Sequence, residues 1–419
     1  MNPPTTSIWL RLSERAFAFN FIAFSFVMFS CLFPTGFAAT FSTFSFLFAI
    51  PIFCYQFRCF KINRFELVGL ALFGWLSLSI FWSNVPFLES MGYLSEYRIY
   101  IMIPVLTSAI VFSERTQRWA LVSALLGAFL ALVASYGLGF GWWEVEGADR
   151  SLANRIYHGF IMSSFLLVSL LIAREASGAV RLIAAIVALL VLYNVLNIET
   201  GRTGYIQVAS VVFVFLVLTF RLTQAVFMTA GAVILFGLSY MSFDRFHDRV
   251  NETVVNVEKM VASGDVNSSA GLRLEFYRAA FDMGMDNSWF GVGVGEVTKQ
   301  LRKGAESGDI RVLTDNVHNE FLNMLLAGGG VALLLFTGFV SAIGFLGVKE
   351  RGRSRVLGDA LIGVSVILTV AALFNSTIKD FGEKHALMIM LSILGARVFA
   401  NTTINESKHG VLPRFNGHN

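Results

Sequence analysis

The chain has 419 residues, of which 55% are hydrophobic and 14% are charged, and its mean hydropathy is +0.66. A soluble domain usually carries about 25% charged residues, so this composition excludes an ordinary soluble protein. The formal net charge of +4 is too small to indicate a nucleic-acid partner. The three cysteines, Cys31, Cys54 and Cys59, follow no metal-ligand spacing and predict no disulfide framework.

Apolar runs recur along the whole chain, each near the roughly 20 residues that cross the hydrocarbon core of a membrane. Twelve spans are predicted, at residues 16–33, 36–54, 65–83, 97–112, 118–140, 156–173, 179–197, 203–220, 223–240, 319–347, 356–374 and 384–400. Two of them are unusual: the fourth is short and contains Pro104, and the tenth is long enough to tilt. The sequence therefore predicts an all-α membrane protein of about twelve transmembrane helices.

Basic residues orient these helices, because short cytoplasmic loops are enriched in Lys and Arg. With the N-terminus in the cytoplasm, the basic clusters on that side include Arg58, Lys61, Arg64, Lys349, Arg351, Arg353 and Arg355. The short outer loops hold fewer basic residues, namely Arg98, Arg150, Arg155, Arg202, Lys379 and Lys384. This asymmetry predicts that both termini are cytoplasmic.

One long polar insertion, residues 241–318, separates nine predicted spans in residues 1–240 from three spans and a short cytoplasmic tail in residues 319–419. Apolar residues at helical spacing predict two amphipathic helices within it. The first stripe is Val250, Val254, Val257 and Val261. The second is Leu274, Tyr277 and Phe281, with Ser268 or Ser269 as the N-cap. Such helices beside a membrane tend to lie on or over it, so we expect the insertion to cover the outer face as a lid.

Two arginines at this outer face are candidates for binding an anion. Arg202 lies in "GRTG", where the glycines allow close backbone approach, and an arginine at this depth is costly unless paired or bound to an anion. The alternative is an anchor that reaches the head groups or pairs with Glu199. Arg273 in "LRLEFYRAAF" shares a helix face with Tyr277, whereas Arg278 does not. The alternative for this segment is an ordinary solvated amphipathic helix.

His318 is the candidate general base. It lies in "DNVHNEFLNMLLAGGG", among Asp315, Asn316, Asn319 and Glu320, where the polar insertion meets the tenth span. A neutral imidazole near pH 7 is the usual general base in enzymes. The alternative is a capping cluster in which Asp315 or Asn316 starts the helix and His318 is simply interfacial.

Two weaker polar clusters lie at the same predicted face. In "NRIYHGFIM", Arg155 and His158 are three residues apart and so share a helix face. In "STIKDFGEKH", the outer loop before the last span holds Lys379, Asp380 and Glu383. Structural roles are the alternative for both clusters.

The glycine-rich segment "NSWFGVGVGEV" is not a dinucleotide motif. Its pattern is G-x-G-x-G rather than G-x-G-x-x-G, and it follows no predicted strand. A tight glycine turn between two helices of the insertion is expected instead. No paired spacing of His, Cys or carboxylates predicts a metal site.

Together, arginines and a histidine beside a lipid-accessible cavity suit a lipid-linked diphosphate as substrate. Arginines would hold the diphosphate through charge-assisted bidentate hydrogen bonds and would stabilise its charge as a leaving group. His318 would take the proton from an attacking hydroxyl. No nucleotide or other cofactor is needed for this chemistry.

The segments "GRTG", "LRLEFYRAAFDMG…WFGVGVGEV" and "VHNEFLNMLLAGG", in this order and sidedness, resemble the O-antigen ligase and polymerase superfamily over about residues 190–340. The resemblance implies a metal- and nucleotide-independent membrane glycosyltransferase. Its ligases transfer an undecaprenyl-diphosphate-linked glycan to lipid A–core, with inversion, at the periplasmic face of the bacterial inner membrane. The family's two functional arginines and its histidine correspond to Arg202, Arg273 and His318, and Asp380 is the nearest match to an outer-loop aspartate. Further residues at this face are accessory candidates: Arg155, His158, Arg278, Asn319 and Glu320.

Ligases, polymerases and protein-glycosylating members share these motifs. The short C-terminal tail disfavours the protein-glycosylating branch, and the single long outer loop favours the ligase over the polymerase. A transporter of the lipid-linked glycan is a more distant alternative. It would predict charged residues in mid-span and broken helices in symmetric halves, and the sequence shows neither pattern.

Overall fold

A computed structural model describes residues 8–57, 60–144, 154–198, 201–263, 268–307, 314 and 316–408. In this part of the chain the regular structure is helical and contains no strand, so the predicted all-α class is confirmed. The helices are α1 (Ile8–Ser30), α2 (Thr35–Gln56), α3 (Arg64–Leu78), α4 (Phe87–Leu94), α5 (Ile99–Phe112), α6 (Glu114–Gly139), α7 (Arg155–Glu175), α8 (Gly178–Tyr193), α9 (Arg202–Thr219), α10 (Leu222–Ser242), α11 (Asp244–Ser263), α12 (Ser269–Asp286), α13 (Glu296–Ser307), α14 (Glu320–Glu350), α15 (Arg355–Phe374) and α16 (Phe381–Lys408). Short 3₁₀ turns follow α3 and α4, and a π-turn at Asn194–Ile198 follows α8.

Eleven helices in the described ranges are long and apolar enough to cross a membrane, and a bent pair would be the twelfth. That pair, Phe87–Tyr97 and Ile99–Phe112, bends by 46°. It replaces the short fourth span predicted at 97–112. The helix that contains the first predicted span begins earlier than the span, because α1 starts at Ile8 and includes Arg11 and Arg15. Arginines near a helix end extend toward the interface, so they do not stop the helix.

The long helix α14, whose length predicts a tilted span, is interrupted by a break. Gly328 and Gly329 leave helical geometry, and Gly329 has φ 67° and ψ −163°, a region that essentially only glycine occupies. The backbone groups that the break releases find partners on other elements. Gly330 N–H donates to Ser288 O at 2.7 Å, and Trp75 Nε1–H donates to Gly328 O at 2.7 Å.

The glycine-rich segment after α12 packs against this break. Val292 N–H donates to Leu326 O at 2.8 Å, and Gly293 N–H donates to Ala327 O at 3.1 Å. A Cβ atom on Gly293 would lie 2.8 Å from Ser79 O. The G-x-G-x-G pattern is therefore explained by close backbone packing, since a side chain would push the segment away from α14 at Gly291 and away from the turn after α3 at Gly293.

The polar insertion is helical, as predicted. Helices α11 and α12 cover the two apolar stripes, and Ser268 caps α12 by accepting a hydrogen bond from Gly271 N–H at 3.1 Å. The third helix, α13, was not predicted. Helix α11 packs on α10 and on the π-turn, and α12 packs on the first part of α14. The insertion thus lies against the end of the bundle at which α9 and α14 begin.

The opposite end of the bundle is held by a buried aspartate. Asp359 Oδ2 pairs with Arg174 at 2.6 Å, and Asp359 Oδ1 pairs with Arg351 at 2.7 Å. Arg351 also donates to Leu218 O at 2.8 Å. Part of the basic cluster that oriented the chain therefore ties α7, α9, α14 and α15 together.

Candidate functional site

His318 has a left-handed backbone, with φ 56°, which is uncommon for a residue with a side chain. Two hydrogen bonds hold this conformation. His318 N–H donates to Asn316 Oδ1 at 2.9 Å, and the Tyr277 hydroxyl donates to His318 O at 2.9 Å. The same hydroxyl lies 3.2 Å from Leu373 O, so Tyr277 of α12 joins the His318 turn to the end of α15. Strained backbone of this kind often marks a functional residue.

The helix start beside His318 is capped by Asn319. Its Oδ1 accepts from Leu322 N–H at 3.1 Å, and its Nδ2 donates to Leu373 O at 3.1 Å. The prediction that Asn316 caps this helix is wrong, because the side chain of Asn316 binds the N–H of His318 and the hydroxyl of Ser376. The other predicted cap, Asp315, lies outside the described residues.

The imidazole of His318 faces the loop between α15 and α16. His318 Nδ1 lies 3.4 Å from Asn375 Oδ1. Asn375 Nδ2 in turn donates to Asp380 Oδ2 and to Glu383 Oε2, both at 2.6 Å. Burial raises the pKa of Asp380, while the Asn375 hydrogen bond and the charge of His318 act in the opposite direction. The polar cluster on this loop therefore adjoins His318 directly.

Glu320, an accessory candidate, anchors this loop. Its side chain is fully buried, and its Oε2 accepts from Ile378 N–H at 3.0 Å. One turn further along α14, Asn323 Nδ2 donates to Ser376 Oγ at 2.6 Å. These two contacts fix the loop against the first turns of α14, so Asn375 is held opposite His318.

Arg273 lies on the face of α12 that contacts the His318 turn. It is half-buried and precedes Tyr277 by four residues, so the two side chains are neighbours on the helix. Burial raises the pKa of the Tyr277 hydroxyl, and the positive charge of Arg273 opposes that rise. Arg278 lies elsewhere, as predicted: its side chain is 88% exposed and lies 3.8 Å from Asp282.

Arg202 begins α9 and is held by the insertion. Its guanidinium lies 3.2 Å from Glu252 Oε1, and Arg249 binds the other oxygen of that carboxylate at 2.8 Å. The Arg249 hydrogen bond and the charge of Arg202 lower the pKa of Glu252. The predicted alternative partner, Glu199, lies outside the described residues. Because α11 packs on α12, Arg202 and Arg273 lie on connected elements.

His158 and Arg155 do not share an environment, although they are three residues apart. His158 is buried, and its Nε2 lies 3.1 Å from Asn194 Oδ1, while Asn194 Nδ2 donates to Ser135 Oγ at 2.9 Å. This chain of contacts joins α7, the π-turn and α6. Arg155 is exposed at the first turn of α7. His158 therefore serves packing within the bundle.

A cavity of about 410 Å³ adjoins the His318 loop. Asn375, Asp380 and Glu383 line one side of it, and Met28, Phe33 and Tyr157 line another. The Tyr157 hydroxyl donates to Met28 O, which fixes the start of α7 on the end of α1. The cavity thus presents two carboxyl groups and an amide opposite an apolar wall.

Sequence reasoning missed Asn375, Tyr277 as the donor to His318, and the burial of Lys384 and His385 near the start of α16. Lys384 Nζ donates to Glu96 O and to Lys379 O, both at 3.1 Å. The run of polar residues between the last two apolar segments was the available signal for Asn375. Nothing local distinguishes Asn375 from an ordinary helix-ending residue.

Among the residues that the structure describes, no three His, Cys, Asp or Glu side chains are grouped closely enough to hold a metal ion. No curated relative matches the chain. Residues 186–337 match the family described as O-antigen ligase. This range contains Arg202, Arg273 and His318, and it extends from α8 into α14, so the predicted resemblance is confirmed over this segment. The matched segment includes the turn in which α12 holds His318, and this part of the chain is similar to the O-antigen ligase family.

Proposed function

We propose that the protein is an O-antigen ligase. It transfers a glycan from undecaprenyl diphosphate to lipid A–core at the periplasmic face of the bacterial inner membrane, as a multi-pass glycosyltransferase of lipopolysaccharide biosynthesis. The observation that carries the proposal is the left-handed backbone of His318, braced by Tyr277 on the helix that also presents Arg273. It lies within the segment that matches the family.

The donor diphosphate binds Arg202 and Arg273 in this proposal. Each guanidinium offers a planar fork of donors that matches phosphate oxygens. Arg202 is held by Glu252, whose side chain is 46% exposed, so an incoming diphosphate can replace this solvated carboxylate at little cost. Arg273 is half-buried, where its charge is screened less by water.

His318 acts as the general base. The acceptor hydroxyl gives its proton to the imidazole as its oxygen attacks the anomeric carbon of the donor sugar. The bond from that carbon to the diphosphate oxygen breaks, and undecaprenyl diphosphate leaves with the electron pair. Attack from the opposite side inverts the anomeric centre. The arginines stabilise the charge that develops on the leaving group, so the transfer needs neither nucleotide nor metal.

The insertion lies over the outer membrane surface in this proposal. Leu274, Phe281 and Met285 on α12 are 45%, 50% and 53% exposed. Exposed apolar residues at this spacing form one face of a helix, and such a face is stable against lipid. A lipid-linked donor would then reach Arg273 along the membrane surface.

A polymerase that joins lipid-linked repeat units is the second candidate, because it would use the same donor chemistry. Deletion of the gene distinguishes the two when the lipopolysaccharide is separated on a gel. Loss of the whole ladder with accumulation of lipid-linked polymer supports the ligase, and collapse to core plus one repeat unit supports the polymerase. The more distant alternative, a transporter, would instead be favoured by accumulation of lipid-linked glycan on the cytoplasmic side of the membrane.

The role of His318 is tested in proteoliposomes with purified lipid-linked donor and lipid A–core. His318→Gln removes the basic nitrogen and is expected to lower transfer about 100-fold or more, the usual contribution of a general base. His247→Gln is a matched control, because that imidazole lies on α11 against Tyr240. Substantial transfer by His318→Gln would remove His318 as the base. Activity that a chelator abolishes and a divalent ion restores would contradict the metal-independent step.

A further inference from the structure

The amide of Asn375 stands between the imidazole of His318 and two carboxyl groups. Its Oδ1 is 3.4 Å from His318 Nδ1, and its Nδ2 is 2.6 Å from both Asp380 Oδ2 and Glu383 Oε2. Asn375 and Glu383 are 1% exposed, so water competes little for the contact between these two side chains. The residue therefore has a defined partner for each of its amide atoms.

The two carboxyl groups decide which way the amide points. An NH₂ group has two hydrogens and can donate one to each carboxylate. With the amide reversed, Oδ1 would face both carboxyl groups, and both would have to be protonated in order to donate to it. A single ionised carboxylate is enough to exclude that arrangement. Oδ1 is then the atom that faces His318.

An amide oxygen can only accept a hydrogen bond, so His318 Nδ1 must carry the proton. In a neutral imidazole the other nitrogen, Nε2, then carries the lone pair. We infer that Asn375 is a positioning residue that holds His318 in the Nδ1–H tautomer, with Nε2 as the basic atom, and that Asp380 and Glu383 fix the amide in this orientation. The inference rests on the proposed role of His318 as the base.

Neighbouring contacts keep the arrangement rigid. Asn375 is the C-cap of α15, and its N–H donates to Ala371 O at 2.8 Å. The turn that follows is bound to α14 through Glu320 and Asn323. The His318 backbone is fixed from the other side by Tyr277. Both partners of the 3.4 Å contact are thus held, and the contact can shorten when the substrate closes the site.

The experiment records ¹⁵N spectra of the full chain, labelled at histidine, in lipid nanodiscs. The signals of His318 are those lost in His318→Gln. The wild-type protein is expected to show a protonated Nδ1 and an unprotonated Nε2. Asn375→Leu is expected to mix the two tautomers and to lower transfer about tenfold to hundredfold, part of the general-base contribution, with little change in donor KM. Asn375→Gln keeps both the acceptor for Nδ1–H and the NH₂ donor for the carboxyl groups, and it is expected to retain the tautomer and more transfer than Asn375→Leu.

Asn251→Leu is the matched control. It removes an amide that lies 2.7 Å from another imidazole, that of His247 on α11, so the His318 tautomer is expected to stay unchanged. A wild-type His318 protonated on Nε2 would overturn the inference, even if Asn375→Leu does not fold. An unchanged tautomer in folded Asn375→Leu would overturn it as well. If His318→Gln still transfers glycan while the tautomer depends on Asn375, the proposed base is wrong and the positioning contact stands.

Discussion

Replacement of Tyr277 by phenylalanine tests whether the strained turn of His318 matters for transfer. The hydroxyl donates to His318 O at 2.9 Å and lies 3.2 Å from Leu373 O. A hydrogen bond of this kind contributes about 0.5–1.5 kcal/mol. A left-handed backbone costs a residue with a side chain about 1–2 kcal/mol, so the hydroxyl offsets much of that cost. Without it, the turn is free to relax toward ordinary backbone geometry.

Since about 1.4 kcal/mol corresponds to a tenfold change in rate, the expected loss of kcat is about twofold to thirteenfold. Donor KM is expected to change little, because Arg202 and Arg273 keep their positions. The assay is steady-state transfer in proteoliposomes at saturating donor and acceptor. Tyr55→Phe is the control, because Tyr55 lies on α2 with its ring against Phe112. A fully active Tyr277→Phe enzyme, in a background where His318→Gln is inactive, would refute the link between the turn and catalysis.

Three further changes test other parts of the structure. Arg202→Lys is expected to lower transfer about tenfold or more, because an ammonium cannot form the bidentate fork; full activity would favour a membrane anchor. Gly329→Ala places a Cβ atom against the backbone of Trp289 at a φ of 67°, and it is expected to destabilise the protein by about 1–3 kcal/mol in thermal unfolding in detergent. Gly231→Ala is the control, and it is expected to be neutral because the space around Gly231 is open. Burial raises the pKa of Asp380 above its ordinary value of 3.8. The protonated carboxyl therefore contributes its full stability at a pH below 3.8, and this contribution is lost as the pH rises through the raised pKa. Asp380→Asn is therefore expected to gain in melting temperature relative to the wild type as the pH increases from acidic to neutral, and a constant difference would contradict the assigned burial.

Predictions from hydrophobic pattern succeeded where the pattern is long. The apolar runs predicted the membrane helices, and the stripe through Leu274, Tyr277 and Phe281 predicted α12 with Ser268 as its cap. The apolar pattern did not predict where the first helix begins, because a helix can continue through Arg11 and Arg15 into the interface. The length of the tenth span predicts a tilt but not the break at Gly328 and Gly329, because the contacts at the break come from Trp75 and Ser288, which are distant in sequence.

For the candidate site too, the sequence identified candidate residues but could not distinguish the role of each. Sequence motifs singled out Arg202, Arg273 and His318, because charged residues at a predicted membrane edge are rare enough to stand out. His158 also stood out, but burial beside Asn194 gives it a packing role. Spacing along one helix cannot tell these cases apart, because it carries no information on which neighbouring helix a side chain meets.

The sequence by itself determined that this is an all-α membrane protein whose residues 186–337 match the O-antigen ligase family, since composition, helical period and motif order are properties of the chain alone. Only the tertiary structure decided how His318 is held. Tyr277 is 41 residues from His318 along the chain and Asn375 is 57 residues away, and both contact it because α12, α14 and α15 pack at one end of the bundle. Hydrogen bonds act over about 3 Å, so their partners are fixed by packing and not by sequence distance.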